Sequence, residues 1–122
     1  MKNVITGLVV LLLFPWAAAE SRPFDVEDLV SLARVSDPRL SPDGLFVAYA
    51  LRETDRDNDR GVSTLWLVPT AGSTGPVRVT TPTSSASGPQ WGSDGRSLYF
   101  LSDRSGSQQV WRLPLDGGEA AQ

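Results

Sequence analysis

Hydrophobic residues along this chain change their spacing twice. Val4 to Phe14 is almost wholly apolar, Val26, Leu29, Val30 and Ala33 recur at helical intervals, and from Asp37 onward apolar residues gather in short runs of strand character. The first run is predicted to be a secretory signal peptide over residues 1–19. Lys2 gives it a positive start, and Pro15-Trp16-Ala17-Ala18-Ala19 sets small residues at the −3 and −1 positions of a cut after Ala19. A membrane-spanning helix needs about 20 apolar residues, more than this run offers before Pro15. The expectation is therefore a secreted or periplasmic product with no stable membrane anchor after cleavage.

Residues 20–36 are expected to be a lead-in with a short helix, the helical spacing running from Phe24 to Val35. Asp25 can accept from backbone N–H groups of the first turn, Asp28 falls at the third helical position, and Phe24 can pack on Leu29 as a hydrophobic staple. Such a helix could bind a partner, but its short apolar stripe suits packing on the rest of the fold.

The strand region is written twice. "PRLSPDGLFVAYA" begins at Pro38 and "PQWGSDGRSLYFL" at Pro89, which aligns Asp43-Gly44 with Asp94-Gly95 and Tyr49 with Phe100 at an offset of 51. Trp66 then aligns with Trp111 and Pro69 with Pro114 at an offset of 45, and "RETDRDNDRG" over Arg52 to Gly61 absorbs the difference as a loop insertion. A repeat of this length, with turn residues between short strands, is the period of propeller blades. Strands are predicted near Arg39 to Ser41, Leu45 to Leu51, Thr64 to Val68 and Val77 to Thr80, then Gln90 to Gly92, Ser97 to Ser102 and Gln108 to Leu115. The fold class is thus all-β, the start of a β-propeller. Blade one covers residues 37–82 and is complete with four strands; blade two, residues 83–122, holds most of a second. Since propellers close with about 4 to 8 blades, a longer protein is expected.

Composition narrows the chemistry. There is no cysteine to form a disulfide, and beyond the leader ten arginines face fourteen acids, which is no footprint for nucleic acid. Histidine, the commonest general base, is absent, and no Gly-x-Ser-x-Gly elbow occurs. No catalytic residue, cofactor site or metal site is assigned. Asp55, Asp57 and Asp59 alternate like calcium ligands, but the template then needs Gly and Glu where Arg60 and Trp66 stand, so a solvated hairpin is expected. Asp43 and Asp94 could form a carboxylate pair, but each precedes a turn glycine and recurs with the repeat. Trp66 and Trp111 could stack a ligand, yet their equivalence suits packing between blades. The exposed cluster Asp103, Arg104 and Ser105 is the remaining candidate for gating substrate, set against an ordinary hairpin loop bonded to its own backbone.

Arg22 to Asp55 and Leu98 to Ala120 together resemble the start of secreted bacterial members of the prolyl oligopeptidase family, serine peptidases of the acylaminoacyl peptidase and dipeptidyl aminopeptidase kind. Ser-Pro-Asp-Gly before an apolar strand occurs in many propellers. The Arg-Pro-Phe and Glu-Asp-Leu lead running into it is more particular. The second copy departs from the pattern with Gly92-Ser93 in place of Ser-Pro. The resemblance implies a propeller that roofs a C-terminal α/β-hydrolase active site and admits short peptides to it, with the Ser-Asp-His triad outside these residues. The contrasting expectation is a non-catalytic periplasmic propeller of the Tol type, acting as a binding module.

Overall fold

The structure, a computed structural model, describes residues 21–122; the expected signal peptide lies outside the described residues. One short helix, α1 (Val26–Ser31), precedes seven strands: β1 (Arg34–Leu40), β2 (Phe46–Asp55), β3 (Arg60–Pro69), β4 (Val77–Arg78), β5 (Ala86–Trp91), β6 (Ser97–Ser102) and β7 (Gln109–Pro114). They form two antiparallel meanders, β1-β2-β3-β4 and β5-β6-β7. The all-β propeller start is the architecture observed. Among the described residues no helix is long and apolar enough to cross a membrane.

The repeat is legible bond by bond. The Gly44 N–H donates to the Ser41 carbonyl and the Gly95 N–H to the Gly92 carbonyl, each at 2.9 Å; Ser41 N–H to Phe46 and Gly92 N–H to Ser97 are both 2.8 Å. Each turn glycine has a positive φ, 74° at Gly44 and 67° at Gly95, where a Cβ would be strained. The Thr70 N–H reaches Leu45 and the Leu115 N–H reaches Arg96, closing both hairpins alike. Beyond β7, Arg112 and Ala121 exchange N–H···O bonds of 2.7 and 2.9 Å in an isolated bridge. Arg112 is the equivalent of Leu67, which pairs with Val77 of β4, so Ala121 takes the place that Val77 holds in the first sheet.

Alternation along the strands divides each sheet into two faces. Ala48, Ala50 and Leu65 of the first sheet are buried against Ala86, Leu98 and Phe100 of the second, and Ala50, Leu65, Ala86 and Phe100 form the common core with Val79, Trp111, Leu113 and Ala120 around it. Small alanines on one side accept large aromatics from the other. This is face-to-face stacking of successive blades. The opposite face of the second sheet, with Tyr99, Leu101 and Val110, stays open, Val110 being 58% exposed.

Three local expectations are corrected. The helix ends at Ser31, with Leu32 already extended, and does not run to Val35. Arg34 to Ser36 are claimed instead by β2, where they pair with Arg52 to Ala50, and sheet hydrogen bonds replace helical ones. The Asp25–Asp28 capping box forms as the sequence suggests, but Phe24 is 66% exposed and the helix buries no residue. Finally, the segment Arg52 to Gly61 is largely strand and not loop, since Arg52 to Asp55 pair with Ser63 to Arg60 and only residues 56–59 turn.

Candidate functional site

The hairpin joining β6 to β7 carries Asp103, Arg104 and Ser105, and local bonds tie it down. The Gly106 N–H closes the turn on the Asp103 carbonyl at 2.9 Å, while the Asp103 carboxylate accepts from the Ser85 N–H at 3.1 Å, anchoring the hairpin to the segment that enters the second blade. Arg104 folds back over the sheet. Its Nε donates to the Ser102 hydroxyl at 3.3 Å, and its guanidinium carbon lies 4.8 Å from the Trp111 ring centre and 5.4 Å from that of Phe100, within cation–π range. Ser105 is exposed. Arg104 also lines a cavity of about 300 Å³ shared with Val79, Thr81, Leu113 and Glu119, at the seam between the blades. The three candidates are therefore close in space, but they point at different partners.

Other residues singled out from the sequence are placed as follows. Asp43 Oδ1 accepts from the Ser41 hydroxyl at 2.5 Å and from the Leu45 N–H at 3.0 Å; these two bonds, the first above all, hold its carboxyl below the ordinary aspartate value. Asp94 caps the equivalent turn through the Arg96 N–H at 2.9 Å. The two carboxylates therefore serve separate turns. Asp55 takes Asn58 Nδ2 at 2.9 Å and Arg60 Nε at 3.2 Å, which likewise lower its proton affinity. Among the described residues no group of three or more His, Cys, Asp or Glu is placed to hold a metal ion.

Of the two tryptophans singled out from the sequence, Trp111 packs between the described blades. Trp66 faces Tyr49 across β2 and β3, and Trp111 faces Phe100 across β6 and β7. Trp111 lies at the seam with the first blade, whereas Trp66 occupies the matching face of that blade, the one turned away from the second. The Trp66 indole donates to Thr64 Oγ1 at 3.0 Å. Gln109 stands where Thr64 would recur, and the buried Trp111 indole N–H has no partner among the described residues.

One site escaped the sequence reading. Arg34 of β1 and Arg52 of β2 are direct partners in register, and together with Leu29, Val30, Leu32, Thr54 and Gly61 they line a cavity of about 350 Å³ beside the helix. In the sequence the two arginines are 18 residues apart, and the first falls inside the segment expected to be helical. Only the pairing of β1 with β2 brings them together.

No family model matches the chain. Over 95 residues it is 34% identical to an uncharacterized peptidase, YuxL, of Bacillus subtilis, covering 77% of this chain and 14% of that protein. Over 84 residues it is 35% identical to dipeptidyl-peptidase 5 of Porphyromonas gingivalis, covering 69% and 12%. A shorter stretch of 59 residues is 40% identical to the Tol-Pal system protein TolB of Bordetella pertussis, 48% of this chain and 14% of that one. Among solved structures, the apo AtxE2 isopeptidase superposes with a TM-score of 0.66 at 25% identity over 84% of this chain and 20% of its own. The acylaminoacyl peptidase of Pyrococcus horikoshii shares the fold with a TM-score of 0.63 at 22% identity, over 80% and 15%. The chain thus spans about one seventh of the curated relatives it matches.

Proposed function

Since this chain carries a propeller segment of the prolyl oligopeptidase family, we propose that it is the opening part of an exported serine peptidase, working in the periplasm or outside the cell. In this reading its blades roof an α/β-hydrolase active site carried by other parts of a longer protein, and they admit short peptides while excluding folded ones. Access then sets specificity, because only substrates that pass the roof reach the nucleophile. The observation that supports it best is the 34% identity to a peptidase over 95 residues, 77% of this chain, a longer stretch than the one matched by TolB.

The chemistry of the residues agrees with a roofing role. Acyl transfer by a triad needs a nucleophile and a base within hydrogen-bond reach, and the 122 residues contain neither a histidine nor a Gly-x-Ser-x-Gly elbow. The full gene product should label with a serine-directed fluorophosphonate and cleave peptide p-nitroanilides, while the 122-residue chain alone does neither. N-terminal sequencing of exported protein should begin at Glu20. A full product that neither labels nor cleaves would favour the second reading, a Tol-type binding propeller without chemistry, for which the 40% identity over 59 residues speaks.

A further inference from the structure

We propose that the Arg34–Arg52 cavity is a binding site for a carboxylate, that of a peptide's free C-terminus or of an acidic side chain. The two guanidinium-bearing residues are direct cross-strand partners, an arrangement that destabilises a sheet when both charges are alike. Neither has a carboxylate partner among the described residues: the ion pairs there join Arg22 to Asp25 and Asp28, Arg56 to Glu27 and Arg60 to Asp55. No acid lines the cavity, although the chain as a whole carries a formal charge of −3. An anion held between the two arginines removes the repulsion and satisfies both.

The walls suit that ligand. Arg52 shares its face of β2 with Ala48, Ala50 and Thr54 by alternation, and its guanidinium lies across Gly61, where an added Cβ would collide with it. Glycine at 61 leaves room for the arginine to lie flat. Thr54 adds a hydroxyl, and Leu29, Val30 and Leu32 of the helix segment provide an apolar wall along one side. The planar forks grip a carboxylate or a phosphate two oxygens at a time, so the preference for a carboxylate on an organic body over a small inorganic anion comes from the apolar wall of Leu29, Val30 and Leu32, which packs on that body. At about 350 Å³ the space admits the end of a peptide, not a folded chain. This site uses only residues of this chain and does not depend on the peptidase reading.

The test is a titration of the full 122-residue chain, labelled with 15N, with trialanine bearing a free carboxylate, with trialanine amide and with inorganic phosphate. The indole N–H signals of Trp66, Trp91 and Trp111 report that the blades are folded. The free acid should shift the Arg34 and Arg52 Nε–H resonances saturably, with the amide and phosphate each weaker by about tenfold or more. Arg34→Gln and Arg52→Gln should each weaken the free acid by about tenfold, and Arg52→Lys should restore only part of the binding because it loses the fork. Neither glutamine variant should lower the thermal midpoint without ligand, since each relieves repulsion. Equal binding of acid and amide, absence of a saturable shift, phosphate binding as tightly as the acid, or a glutamine variant that destabilises the free chain would each overturn the proposal. The last result would mark the pair as structural. If a longer form holds its own acidic side chain in the cavity, the full gene product will not bind the free acid while the 122-residue chain does, which separates the two sources.

Discussion

The indole N–H of Trp91, the last residue of β5, donates to the carbonyl of Arg39 in β1 at 2.9 Å, across 52 residues of sequence. Both are first strands of their sheets, so this bond joins the blades along one edge while Phe100 and Leu65 join them through the core. Trp91→Phe keeps the ring and removes the donor. It should lower unfolding free energy by about 1 kcal/mol, the usual net worth of one hydrogen bond, as read by urea denaturation. No change would mean that the two strands are positioned by side-chain packing alone.

Burial decides which face matters. Phe100 is 2% exposed between the sheets, whereas Val110 lies on the open face of the second blade. Phe100→Ala should cost about 3–5 kcal/mol through lost transfer energy and the cavity it leaves, and Val110→Ala should stay within about 0.5 kcal/mol in the same chain. Equal costs at the two positions would place the core on the wrong side of β6 and β7.

The Asp43 turn makes stability depend on pH. The Ser41 hydroxyl and the Leu45 N–H favour the charged carboxylate, so the folded pKa lies below the unfolded one. The stabilisation is present above the unfolded value of about 3.9 and is lost as pH falls through the lower folded value. Thermal midpoints across pH 2.5–7 should therefore show Asp43→Asn less stable than the parent at neutral pH, with the gap closing in acid. A gap that stays constant with pH would remove the charge from the account.

Asp37 and Gly88 sit at equivalent places, each before the repeat's proline and at a register shift in the first strand, with φ of 53° and 59°. A Cβ at Gly88 meets no atom within 4 Å, so strain there is purely of the backbone. Gly88→Val should cost about 1–2 kcal/mol, the penalty of a left-handed conformation, whereas Asp37→Gly should leave stability close to the parent. Denaturant midpoints check both, and a neutral Gly88→Val would show that the bulge relaxes.

What the sequence alone determined is what local chemistry decides. The Asp-Gly turns, the capping box and the hairpin of β6 depend on residues a few positions apart, and the offsets of 51 and 45 already paired Tyr49 with Phe100 and Trp66 with Trp111. The family resemblance followed from the same short stretches. Only the tertiary structure decided the rest, because it turns on competition between distant partners. Arg34 to Ser36 left a plausible helix once β2 offered them a sheet edge, and the polar insertion after Arg52 became strand because β2 and β3 could extend their ladder through it. The Trp91 bond to Arg39 and the meeting of Arg34 with Arg52 have no sequence signal, since each depends on which strand lies beside which and on which face it shows. A side chain's period is written in the chain, but its neighbour across the sheet is set by the packing of the whole.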